Sequence, residues 1–127
     1  MQMINELNLS PQILKEIFDL AYVDCRAVID GVIVYDCLTV RLTFGPDRDR
    51  IKYFMSLNSP HGLPKEKWFE HAFRVSQEYD VLAEYSKDSL FINSAVYLYG
   101  GIPSSVIVKS WRRMIEIAHD IQLDYRK

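Results

Sequence analysis

The chain has 127 residues and a mass of 14.9 kDa, the size of one domain, with 49% hydrophobic, 25% charged and 13% aromatic residues. A composition of this kind belongs to globular proteins that bury roughly two-thirds of their unfolded surface, so no disulfide or metal staple is required. Lys and Arg total 15 against 17 Asp and Glu, a net charge of -2 that gives no basic field to recruit nucleic acid.

No apolar run approaches the ~20 residues of a membrane span, and the opening Met-Gln-Met-Ile-Asn-Glu lacks the basic and apolar blocks of a secretion signal. These features predict a soluble cytoplasmic protein with neither a membrane nor nucleic acid as a partner. Cys25 and Cys37 form no Cys-x-x-Cys pair, and no histidine lies at finger spacing. In a reducing cytoplasm both are expected as small, buried core residues.

Ser10-Pro11 opens the first helix, because serine caps an N-terminus and proline at the first position gives up an amide that is unpaired anyway. Ile13, Leu14, Ile17, Phe18 and Ala21 then recur at three- and four-residue steps. From Tyr22 the period becomes two, with Val23, Cys25, Ala27 and Ile29 facing one side and Asp24 and Arg26 the other. Asp30-Gly31 reads as a tight turn that uses glycine's positive φ. Val32 to Tyr35 is extended, Asp36-Cys37 reads as a bulge or bend, and Leu38, Val40, Leu42 and Phe44 alternate with Thr39, Arg41 and Thr43. Residues 47 to 50 form a charged hairpin tip, and residues 50 to 57 return as a strand. Ile51, Tyr53, Met55 and Leu57 share one face of that strand, and Lys52, Phe54 and Ser56 the other.

Asn58 to Leu63 is a loop, and Pro64 suits the start of a second helix whose stripe is Trp68, Ala72, Val75 and Tyr79, flanked by Phe69 and Phe73. Val81 to Tyr85 and Leu90 to Tyr99 form a hairpin around a polar turn at residues 86 to 89. Gly100-Gly101 ends it, and Pro103 opens a last helix with the stripe Ile107, Trp111, Met114, Ala118 and Ile121. The order is α-β-β-β-α-β-β-α, an α+β fold with one strand interrupted at its bulge. Hairpins dominate, so the sheet is expected to be antiparallel with the helices on one face. Residues 1 to 127 are expected to form one domain, with a core at about 10 to 122.

No residue pattern names a reaction. Gly100-Gly101 fits neither a dinucleotide nor a Walker loop. His61, His71 and His119 are scattered, and His119 sits where a helix C-terminus favours a cation. Asp47 and Asp49 alternate with Arg48 and Arg50 at the solvated hairpin tip, and a calcium loop would need more oxygen ligands around a central glycine. Lys109, Arg112 and Arg113 make an ordinary basic helix face. Catalytic residues, metal ligands and cofactors are therefore not expected. The informative feature is the sheet's second face, where Thr39, Arg41, Thr43, Lys52, Phe54, Phe91, Asn93, Ala95 and Tyr97 mix aromatic, polar and charged side chains. Interfaces are enriched in Tyr, Phe and Arg, so this face is expected to meet a partner.

The stretch Met55-Ser56-Leu57-Asn58-Ser59-Pro60-His61-Gly62-Leu63-Pro64, a helix, Glu78-Tyr79, a hairpin, and Gly100-Gly101-Ile102-Pro103 before a final helix resemble the YbjN-like family. Those proteins are proposed bacterial sensory transduction regulators, similar in fold to the type III secretion chaperones, small α+β proteins that commonly dimerise. The resemblance implies a non-enzymatic protein-binding regulator or chaperone-like module, a homodimer or the partner of another protein. Arg41, Phe54, Phe91 and Tyr97 are the expected interface residues. The rival is a ligand pocket or enzyme site between helices and sheet, lined by Tyr22, Tyr35, Tyr79 and Tyr85 with His71.

Overall fold

The computed structural model describes residues 2–36, 38–58 and 63–124. Ten residues of helix, α1 (Pro11–Leu20), follow the Ser10 cap, whose hydroxyl accepts the Ile13 amide. Strands β2 (Cys25–Val28), β3 (Gly31–Asp36), β4 (Leu38–Thr43) and β5 (Arg50–Asn58) come next, preceded at the N-terminus by the two-residue β1 (Met3–Ile4). A 3-10 turn at Lys65–Lys67 leads into α2 (Trp68–Tyr79). Then come β6 (Leu82–Ser86), β7 (Ser89–Tyr97), β8 (Ile102–Pro103) and α3 (Ser104–Asp124). The main sheet is antiparallel in the order β2-β3-β4-β5-β7-β6, and β1 pairs with β8 in a separate two-stranded ribbon. The α+β class and the antiparallel sheet are as the sequence predicts.

The sheet holds one more strand than expected, and the physical reason lies at Asp36. Asp36 and Leu38 face each other across β3 and β4, so the chain reverses there; Cys37 itself lies outside the described residues. Alternation alone does not distinguish a bulge from a reversal, because both reset the inward-facing phase. Gly31 also acts differently from expectation. The two-residue tip is Ile29-Asp30, and Gly31 is not among the residues with positive φ. It is glycine because a Cβ there would stand 1.8 Å from the Leu42 carbonyl oxygen. Pro103 closes β8 rather than opening α3, and Ser104 donates its amide to the Gln2 carbonyl, fastening the N-terminal segment to the last helix.

The inward positions of the central strands form the core. Val40, Leu42, Ile51, Tyr53, Met55, Leu90 and Ile92 are buried against Leu14, Ile17, Phe18, Ile107, Trp111 and Met114 from α1 and α3. Each such side chain contributes about 1.5–3 kcal/mol by leaving water. Phe18 meets Trp111 edge to face at 5.8 Å, which joins the two helices. Cys25 is a partly buried free thiol at the edge of this core. Its Sγ lies 3.8 Å from the Lys15 carbonyl and the Asp19 carboxylate, and burial with Asp19's charge pushes its pKa up.

Tyr53 points inward and donates its hydroxyl to the Ile107 carbonyl at 2.9 Å, and burial raises its pKa far above the usual phenol range. Tyr53→Phe removes that bond and is expected to cost about 1 kcal/mol, read as a lower urea midpoint at unchanged slope. An unmoved midpoint would mean that the bond contributes nothing.

The β6–β7 hairpin turns at Lys87 (φ 49) and Asp88 (φ 67), both in left-handed conformations that favour Asn-Gly. Replacing the two by Asn-Gly is expected to raise stability by about 1 kcal/mol. The check is again denaturation, and a loss of stability would contradict the turn assignment.

Candidate protein interface

Strand pleating sends alternate residues of β4, β5 and β7 away from the helices. One line of paired residues crosses all six strands on that outer face: Leu82, Asn93, Phe54, Arg41, Ile33 and Arg26. Arg41 stands directly opposite Phe54 in the β4–β5 pairing, while Ser56 stands opposite Phe91. Phe54 and Phe91 are therefore diagonal neighbours, with ring centroids 5.6 Å apart. Phe54 remains 37% exposed and Leu82 63%. Arg41 reaches Asp30 at 3.4 Å in an exposed pair, which holds it weakly.

Tyr97 lies on the same face but elsewhere. It pairs with Arg50, four residues along β5 from Phe54, or about 13 Å at the usual strand rise. There it accepts a 3.3 Å hydrogen bond from the Arg50 guanidinium and stacks on Tyr99 at 5.5 Å with nearly parallel rings. The structure thus brings Arg41, Phe54 and Phe91 into one cluster and puts Tyr97 in a second one. Tyr99 was missed, although two-residue alternation beyond Tyr97 already puts both rings on one side of the chain. Ile33 and Arg26 were missed as members of the face because only the register across β2, β3 and β4 aligns them with Phe54.

The outward positions of β4, β5 and β7 carry three cations, Arg41, Arg50 and Lys52, and no carboxylate. Asp30 and Asp49 approach from the turns, with Asp49 at 3.8 Å from Arg50. This arrangement offers apolar anchors, ring edges and cation donors on a flat surface. It presents no pair of groups set to exchange a proton.

The sequence matches no family model and no curated protein. The fold does have solved counterparts. The chain is similar to YbjN from E. coli, a proposed transcription regulator, with a TM-score of 0.65 over 93% of this chain and 92% of that one at 8% identity. The fold is YbjN-like. It is also similar to an uncharacterised protein from Methanothermobacter thermautotrophicus, with a TM-score of 0.61 at 16% identity over 92% of this chain and 99% of that one.

Within the YbjN-like fold, Tyr22 and Tyr35 stand apart from His71 and Tyr85 among the residues of the rival pocket. Tyr22 is 97% exposed, and Tyr35 lies on the outer face with Arg26 over its ring. His71 and Tyr85 meet, Nδ1 to hydroxyl at 2.8 Å, and Trp68 stacks on Tyr85. A groove of ≈ 450 Å³ on the outer face runs past Ile33, Thr39, Arg41, Phe54 and Ser56. A larger one, ≈ 690 Å³, lies between α2 and β6 beside Phe69, Phe73 and Leu82. Phe69 is 84% exposed, and it and Phe73 flank the helix stripe as the sequence predicts. The hydroxyl of Ser76 holds the Ala83 amide at 2.9 Å, so the helix caps the β6 edge there.

His119 is exposed, and Arg113 bonds the Tyr79 carbonyl, which splits the basic trio on α3. Arg48 of the hairpin tip is held too, reaching the Leu9 carbonyl at 2.8 Å. His61 and the Gly62 joint lie outside the described residues. Among the described residues no three His, Cys, Asp or Glu come together as metal ligands, and no helix is long and apolar enough to cross a membrane.

Proposed function

We propose that this protein is a non-enzymatic binding module, a regulator or chaperone-like adaptor in the cytoplasm, that holds another protein on the outer face of its sheet. The observation that carries this reading is the cluster of Arg41, Phe54 and Phe91 at the centre of a sheet face that no helix covers among the described residues. Interface hot spots are enriched in aromatics and arginine and gather near the middle of a contact. Tyr97 with Tyr99 and Arg50 supplies a second point of attachment on the same face. The YbjN neighbour, itself a proposed regulator, is consistent with this reading. A second copy of the chain is one possible occupant, forming a homodimer.

The test is affinity capture from cells with the wild-type chain and with Phe54→Asp, both checked for folding by circular dichroism. A charge in the centre of a contact is expected to weaken binding by 2 kcal/mol or more, about thirtyfold. Partners retained by the wild type should therefore vanish from the variant. An identical partner set would overturn the assignment of the surface. Native mass spectrometry of the same two proteins shows whether a second copy is among the partners.

A further inference from the structure

We infer that strand β2 pairs antiparallel with β2 of a second copy of this chain, about a twofold axis, so that one sheet runs through both copies. The surface is a strand edge, separate from the outer face assigned above to another protein. The two edges of the sheet differ. At β6 the Ser76 hydroxyl holds the Ala83 amide at 2.9 Å, and α2 lies alongside. At β2 the Asp24 carbonyl accepts the Tyr35 amide at 2.8 Å, which fixes the phase of the ladder. Asp24, Arg26 and Val28 therefore turn their backbone groups towards β3, while Cys25 and Ala27 turn theirs away from the sheet. Among the described residues those outward amides and carbonyls have no hydrogen-bond partner. The strand also has no proline, no bulge and no inward charge, the devices that keep strand edges apart.

Charge selects a second copy and one register. Backbone groups meet across the new edge only if odd-numbered residues face odd-numbered ones, which also keeps the helix-covered faces on one side. With Cys25 facing Cys25, Asp24 stands opposite the second copy's Arg26, and Arg26 opposite its Asp24. These are the non-hydrogen-bonded positions, where facing side chains approach most closely. A slip to either neighbouring register sets Asp24 against Asp24 or Arg26 against Arg26. In the favoured register the Cys25 amides and carbonyls bond each other across the axis, and each Ala27 amide reaches the second copy's Val23 carbonyl. The Val23 amide takes no part, because the Phe18 carbonyl already accepts it at 3.0 Å. Tyr22 and Ile29, each 97% exposed, flank β2 at its two ends. The same register brings Ile29 of each copy beside the second copy's Ala21 and Tyr22, covering apolar side chains that one chain leaves in water.

The experiment is analytical ultracentrifugation of the full chain over a concentration series, comparing the wild type with Asp24→Arg, Arg26→Asp and the double exchange. Each single reversal sets like charges opposite each other on both sides of the axis and is expected to weaken the dimer about tenfold or more. The double exchange restores opposite charges and should bring the affinity back to within about threefold of the wild type. Ala27→Pro removes an amide that the ladder with β3 does not use, so it should keep the native circular dichroism and lose the dimer. A wild type that is monomeric at every concentration, or a dimer that survives Ala27→Pro and both reversals, would overturn the inference. Single reversals that weaken the dimer without recovery in the double exchange would overturn the register. A dimer dissolved by Phe54→Asp and by none of the β2 variants would place the second copy on the outer face instead.

Discussion

Trp111→Ala is expected to lower stability by about 4 kcal/mol, the largest effect of any single substitution considered. Trp111 is buried on α3, and its ring meets Phe18 edge to face at 5.8 Å. Truncation leaves a cavity where α1, α3 and the sheet converge. The indole has a second property, a buried Nε1–H with no hydrogen-bond partner among the described residues. An orphaned buried donor costs about 1–3 kcal/mol, so much of the ring's value is offset at that atom. Trp111→Phe keeps an aromatic surface against Phe18 and removes the donor. It is expected to cost about 1 kcal/mol, far less than the alanine variant. The check is a pair of denaturation curves. A loss in Trp111→Phe well above about 1 kcal/mol would mean that the indole N–H has a partner in solution.

Gly31→Ala is the second large effect, expected at about 3 kcal/mol from overpacking alone. The added Cβ would lie 1.8 Å from the Leu42 carbonyl oxygen and 2.9 Å from its carbon, both backbone atoms that no rotamer change can move. Relief requires β3 and β4 to separate at the Gly31–Thr43 pair. The Ile33–Arg41 pair lies two residues along the same strands, so the line of residues on the outer face is disturbed with it. The thermal midpoint measures the loss. A midpoint like that of the native chain would show that the strands part there without penalty.

These two sites differ in how far the sequence discloses them. Trp111 is legible as core because Ile107, Trp111, Met114, Ala118 and Ile121 keep helical spacing, and all five are buried. Gly31 is legible as important but not for its actual reason. Sequence shows a glycine after Asp30 and suggests positive φ, whereas the constraint comes from a carbonyl eleven residues away. Non-local contacts of this kind leave no local pattern.

The same division runs through the sheet. Alternation in Leu38–Thr43 and Arg50–Asn58 correctly separates inward Val40, Leu42, Ile51 and Tyr53 from outward Arg41, Lys52 and Phe54, because one face is buried and the other is not. The reversal at Asp36 carries no Asn-Gly or Gly-Gly signal, so it reads as a bulge. The ribbon of Met3–Ile4 with Ile102–Pro103 is too short for any periodicity and joins segments about a hundred residues apart in the chain.

For the candidate site, the face was legible and its grouping was not. Arg41, Phe54, Phe91 and Tyr97 all point outward as the alternation requires. Which of them touch depends on register: Phe54 opposite Asn93 puts Phe91 within reach, and Arg50 opposite Tyr97 puts that ring four residues away. Hydrophobic pattern fixes which face a residue takes, but α2 and β6 intervene between β5 and β7, so no hairpin turn in the sequence discloses their register. The exposed pair Phe69 and Phe73 flanks the stripe of α2, as the sequence predicts, and borders the groove against β6. The stripe of Trp68, Ala72 and Val75 fills the side of α2 that meets β6, which leaves the two flanking rings in solvent.

The central claim is that protein partners sit on the outer face around Phe54. A photo-crosslinking amino acid in place of Phe54, activated in cells, tests it most directly, with the same group at exposed Gln12 on α1 and at Phe69 beside the α2–β6 groove as comparisons. The account predicts a discrete protein adduct from position 54 and none from position 12. No adduct at 54, or one from position 69 alone, would contradict it.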